Sequence, residues 1–224
     1  MMIKKLLPLM LVLSIFVSCD MDSEPFLYRG FMMGFLQEDG TFKGDDGRTY
    51  IFNNISAGFD WKDAHRLFAL FDVTEEMADG RYSANLLEYT FPLYKEPLKS
   101  TEVENPETIG PDPIDVEDAW FSGGCINMSN LFRYRADGEA LHTVNLLVDL
   151  SKPVTDTLHL VVKHDAGSDR LDTDIPPAEY NLYQFYSSFP VASFFPEDKE
   201  AGVIEIKWTW EEGEKSMCNK VNLK

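Results

Sequence analysis

The chain has 224 residues, 38 of them acidic and 20 basic, for a formal net charge of −18, and 44% of its residues are hydrophobic and 13% aromatic. That apolar content builds a packed core and excludes a disordered tether, at a length that suits two modest domains. The acid excess excludes nucleic acid as a partner, since its binding rests on Lys and Arg displacing counterions from phosphates, and it opposes adhesion to anionic lipid headgroups.

At the start, Lys4 and Lys5 precede an apolar run from Leu6 to Val17 that stops at Ser18, Cys19 and Asp20. Spanning a bilayer takes about 20 apolar residues, so the pattern predicts a secretion signal over residues 1–18. Phe16-Val17-Ser18-Cys19 places a small residue directly before a cysteine, the order a bacterial lipoprotein peptidase requires, and Cys19 is expected to carry the acyl chains, palmitate among them. Without residues 1–18, 18 basic residues face 38 acidic ones, a net −20. Attachment of so anionic a body to a membrane is therefore expected to be covalent, several acyl chains giving a stable anchor. Residues 19–25 form a short acidic tether, in which Asp20, Asp22 and Glu24 resemble the signal that sends lipoproteins of some Gram-negative bacteria to the cell surface. The expected address is the outer membrane of the cell envelope, on its periplasmic or its outer face.

From Phe26 onward the pattern is strand and turn. Phe26–Leu36 and Arg48–Ile55 flank a Gly- and Asp-rich turn region at Glu38–Gly47 and predict a hairpin. Strands follow at Arg66–Val73 and Arg81–Leu93, with room for a short helical turn at Thr74–Gly80, and a last piece lies near Pro97–Val103. Five strands in about 85 residues suit a small closed or partly open barrel. Lys95–Pro113 then concentrates Pro97, Pro106, Pro111 and Pro113, which remove ladder donors and stiffen the chain. Its second half is taken as the boundary between a first domain over 26–105 and a second over 106–224.

The second half predicts strands at Val116–Met128, Leu141–Leu150, Thr157–His164, Tyr180–Phe189, Val203–Trp210 and Ser216–Asn222, a β-sandwich. Leu158, Leu160 and Val162 share one face of their strand, as do Ile204, Ile206, Trp208 and Trp210, with Glu205, Lys207 and Thr209 opposite. No long apolar stripe of helical period appears, so the fold class is all-β with few helices.

Catalytic signatures are missing from the sequence: there is no GxSxG, HExxH, glycine-rich phosphate loop or GxGxxG. The four histidines, His65, His142, His159 and His164, read as structural groups, because a site needs convergent geometry. Asp165, Asp169, Asp172 and Asp174 are the only cluster with metal-ligand chemistry, yet their spacing departs from the EF-hand loop and lacks its central glycine, so a solvated turn is the reading preferred over calcium. Cys125 and Cys218 either pair or stay separate as small hydrophobes, and their spacing leaves both open. Tyr180, Tyr183, Phe185, Tyr186, Phe189, Phe194 and Phe195 form the densest aromatic run; alternation puts Tyr183 and Phe185 on one face and Tyr186 on the other, so one ring at least is offered to a sugar or a protein partner.

Gly110-Pro111-Asp112-Pro113-Ile114, Trp120, Gly124, Ile126 and Asn127, His142 with Asn145, Leu146 and Val148, and Lys163-His164-Asp165-Ala166-Gly167 with Asp169 together resemble the NigD-like lipoprotein family of Gram-negative anaerobes. Asp46-Gly47 with Tyr50, and Arg66 leading a strand, extend the likeness into the first half. The resemblance implies an N-terminal OB-like barrel followed by a C-terminal β-sandwich, no cofactor, and an operon with a bacteriocin or immunity role. The function expected is a non-catalytic binding module for a protein or glycan. An immunity protein that neutralises a basic antibacterial toxin is the alternative. A hydrolase ranks third, and would need Asp112, Asp115 and Asp118 to meet His142.

Overall fold

The computed structural model describes residues 26–56, 61, 65–135, 141–171 and 180–223. Cys19 with its signal and tether, and Asp172 and Asp174, lie outside them. The molecule is all-β: a five-stranded closed barrel is followed by a sandwich of a five-stranded and a four-stranded sheet. No helix among the described residues is long and apolar enough to cross a membrane.

The barrel runs in the order β1 (Tyr28–Leu36), β2 (Phe42–Gly44), β3 (Thr49–Phe52), β5 (Tyr82–Thr90) and β4 (Arg66–Glu76), closed by the antiparallel pairing of β4 with β1. Its interior holds Phe42, Tyr50, Phe52, Leu67, Phe71, Val73 and Leu86. The fifth strand is β2, which lies inside the expected turn region, and β4 runs through Thr74–Glu76 where a helical turn had room. The piece expected as the last barrel strand belongs elsewhere: β6 (Leu93–Tyr94) and β7 (Leu98–Lys99) pair in parallel with strands of the sandwich. A barrel already closed by residue 90 leaves no edge for them.

One sandwich sheet has the order β14 (Gly213–Asn222), β13 (Ala201–Trp210), β11 (Thr157–Asp165), β10 (Thr143–Val148), β7; the other has β6, β12 (Asn181–Pro190), β9 (Cys125–Tyr134), β8 (Asp115–Ser122). The expected alternation holds, since Leu158, Leu160, Val162, Ile204, Ile206 and Trp208 are all buried in the shared core. The single strand expected over Val116–Met128 is instead the β8–β9 hairpin. Gly123 (φ 58°) and Gly124 (φ 77°) are both left-handed, as a two-residue hairpin turn with strand-matched twist requires. From Cys125 to Asn130, β9 is buried on both faces. Ile126 and Met128 face the core, while Asn127 and Ser129 on the opposite face meet the barrel.

Candidate binding cleft between barrel and sandwich

The two units are joined through a buried ion pair. Arg66, the first residue of β4, donates from Nη1 and Nη2 to the two carboxylate oxygens of Asp45 at 3.0 and 2.7 Å, and its guanidinium lies 4.5 Å from the Phe35 ring centroid. Side-chain exposure is 0% for Arg66 and 5% for Asp45. The sandwich adds to the set: Arg66 Nη2 also donates to Asn127 Oδ1 at 2.9 Å, Ser188 Oγ donates to the same oxygen, and Ser122 Oγ donates to Asp45, while Arg66 Nε has no partner among the described residues. Planar bidentate geometry with further polar partners is what makes a buried pair tolerable.

Beside this junction opens a cleft of about 700 Å³. The barrel lines it with Phe31, Met32, Met33, Asp45, Asp46 and Phe68, and the sandwich with Asp118, Trp120, Ser122, Ser129 and Tyr186. The sandwich wall follows from strand register. Asp118, Ser129 and Tyr186 lie in one cross-strand row over β8, β9 and β12, and Trp120, Asn127 and Ser188 in the next, so the first row and Trp120 face the cleft while Asn127, held by Ser188, meets Arg66. On the barrel, Phe31 opposes Leu70, which brings it diagonally against Phe68 with centroids 4.5 Å apart. Phe68 is the hub, 4.7 Å from Tyr186 edge-on and 6.0 Å from Trp120. A smaller hollow shares Phe31, Phe68 and Tyr186 and adds Glu88 and Tyr89. Phe31 remains 65% exposed, an expensive disposition for a large ring unless something covers it.

Charge in the cleft has one sign. Among the described residues, every charged side chain lining it or the adjoining hollow is a carboxylate. Asp45 is balanced by Arg66. Asp46 accepts from the Tyr50 hydroxyl at 2.5 Å and has Arg48 at 3.8 Å; burial, reinforced by that carboxylate, pushes the Tyr50 hydroxyl up, so it stays a donor. Among the described residues Asp118 accepts only the backbone N–H of Ala119. Of the expected aromatic run, Tyr186 is the ring that reaches the cleft, Tyr183 is 51% exposed, and Phe189 and Phe195 are core.

The remaining candidates fall elsewhere. Asp165 accepts from Gly167 N, while Asp169 accepts from Arg135 N and meets His142 Nε2 at 3.0 Å, so the two acids do not converge. Among the described residues no group of three or more His, Cys, Asp or Glu is arranged for a metal. Cys125 and Cys218 are both free: Cys125 is buried at the start of β9, where burial pushes its thiol up, and Cys218 is exposed on the edge strand of the other sheet. Asp112 holds Ala166 N and Arg170, Asp115 accepts from Trp208 Nε1, and Asp118 lies in the cleft, so the three acids disperse. His142 instead joins His164 at 2.9 Å, both stacked on Phe132. His164 Nδ1 faces the Pro113 carbonyl, which only accepts, so His164 Nε2 is a bare acceptor and His142 Nδ1 donates to it. The other ring nitrogen of His142, Nε2, reaches the Asp169 carboxylate, so the imidazole is held from both ends. Burial lowers the pKa of His164, in keeping with a neutral ring.

Residues 96–221 match the family described as the NigD-like C-terminal beta sandwich domain. No curated protein matches the chain in sequence. Three solved structures share the fold: a candidate toxin-related protein from Parabacteroides distasonis (18% identity, 88% of this chain and 95% of that one, TM-score 0.65), a candidate lipoprotein from Bacteroides fragilis (13%, 88% and 98%, 0.58) and a NigD-like immunity protein from Bacteroides caccae (18%, 88% and 93%, 0.53).

Proposed function

This chain belongs to the NigD-like family, and on that premise we propose that it is a lipid-anchored, non-catalytic binding protein of the cell envelope that meets its ligand in the cleft between barrel and sandwich. The observation that carries the reading is the ring cluster of Phe31, Phe68, Trp120 and Tyr186, drawn from both units and left open beside a rigid buried junction. Pre-formed concave sites with aromatic walls and a few polar groups are the usual form of binding sites. Immobilised wild-type protein offered an envelope extract is expected to retain a partner protein or glycan that Trp120→Ala and Tyr186→Ala lose. Equal retention by all three overturns the assignment of the cleft.

The anchor is proposed at Cys19. Cells fed labelled palmitate are expected to label the parent and not Cys19→Ala, and the variant is expected to leave the membrane fraction, since each buried acyl CH₂ contributes about 0.8 kcal/mol. An unlabelled parent removes the anchor. A second reading, favoured by the acidic surface and by the immunity protein among the structural neighbours, is neutralisation of a basic antibacterial protein. A toxin gene beside this one supports it, and glycan-uptake genes there favour the first.

A further inference from the structure

We infer that the cleft receives arginine side chains from a basic segment of a partner protein; the inference rests on the reading of the cleft as the binding site and names what enters it. The rings offer π faces, and the acids at the rim offer acceptors. Asp118 and Glu88 take no side-chain partner among the described residues, and no basic side chain among them lines either hollow. An anion is repelled by such a lining, and a neutral sugar leaves Asp118 and Glu88 without a cation. A guanidinium satisfies both features at once, because it stacks flat on an aromatic ring and donates a fork of N–H groups to a carboxylate. The molecule already contains one such seat immediately beside the cleft: Arg66 lies over Phe35 and grips Asp45 with both terminal nitrogens. Three more arginines are placed over rings, Arg29 over Phe26, Arg48 over Tyr28 and Tyr82, and Arg133 over Trp210. A cleft of about 700 Å³ holds more than one side chain, so an extended segment rather than a single residue is the fitting occupant. The net charge of −18 steers a basic protein toward it.

Isothermal titration of the full soluble chain from residue 19 tests this with N-acetylated, C-amidated tri-arginine as the probe, and its tri-citrulline counterpart, the same size without the charge, as control. Tri-arginine is expected to bind at least tenfold more tightly than tri-citrulline. The Asp118→Asn/Glu88→Gln variant is expected to weaken it at least fivefold with an unchanged circular dichroism spectrum and melting temperature. A control variant, Glu197→Gln/Asp198→Asn, removes the same charge from exposed residues that line neither hollow and is expected to leave binding within twofold. Equal affinity for the two probes, or equal weakening by the two variants, overturns the inference. Binding of a neutral oligosaccharide such as maltohexaose, lost in Trp120→Ala, also overturns it yet leaves the cleft as the binding site. A partner held equally well by Trp120→Ala and Tyr186→Ala overturns the cleft itself.

Discussion

At the scale of single residues, the junction and the histidine pair hold polar groups whose partners are fixed by the fold. Asp45→Ala leaves the Arg66 guanidinium buried with no anion, and removing one member of a buried pair costs about 3–5 kcal/mol; chemical denaturation of the variant is expected to show a loss of that order, and Arg66→Met combined with Asp45→Ala to recover part of it. His164 sets a pH dependence with a definite sign. Its pKa is lowered in the fold, through burial first and then the neighbouring His142, against the opposing pull of the Pro113 carbonyl, Asp112 and Asp165. The unfolded chain therefore takes up a proton near the usual histidine value of about 6.5 while the folded ring does not. The His164 contribution is complete above that pH and is lost as pH falls toward the lowered folded value. Stability at pH 5.5 is expected to lie below that at 7.5, by a smaller margin in His164→Gln, and long-range ¹H–¹⁵N spectra at pH 6.5 are expected to show His164 as the Nδ1–H tautomer. None of this was visible in sequence. Arg66 reads as a charge leading a strand, and its partners stand 21 and 61 residues away; His142 and His164 read as two separate strand histidines until the β10–β11 register brings them together.

Among the elements, those with period-two burial were legible and those too short for any period were not. Strands β11 and β13 alternate cleanly because one face is core and the other is not. Strands β2, β6 and β7 are two or three residues long and carry no pattern. The β8–β9 hairpin was read through as one strand because apolar residues continue on both sides of Gly123-Gly124, although that dipeptide is itself a hairpin signal. The pair now makes a graded prediction. A Cβ at Gly124 meets nothing closer than Ala192 Cβ at 3.4 Å, so Gly124→Ala is expected to cost about the 1–2 kcal/mol of a left-handed non-glycine residue. At Gly123 the added carbon falls 2.1 Å from Asp45 Oδ1, the acid that holds Arg66. Gly123→Ala is expected to lower the melting temperature further than Gly124→Ala, because it strains the turn and pushes the ion pair apart together. Equal shifts would show that the hairpin and the junction are independent.

For the molecule as a whole, the order of the two units was readable and the way the chain passes between them was not. Successive strands β6 and β7 sit in opposite sheets, Leu93 beside Ser187 and Leu98 beside Leu147, and Tyr94 reaches back to the Phe35 ring of the barrel. A sandwich cut at residue 106 loses a pairing from each sheet. A fragment over 91–224 is accordingly expected to unfold at higher urea than one over 106–224, with near-ultraviolet circular dichroism as the readout. The same two strands impose a schedule on a chain that arrives N-terminus first. Barrel closure needs nothing beyond residue 90, whereas Leu98 waits some 49 positions for its neighbour and Leu93 some 94. Long loops of that kind are slow to close, so the first unit is finished while the second is still collecting its strands, and the late arrival of β12 both links β6 to β9 and delivers Tyr186 to a barrel wall already in place.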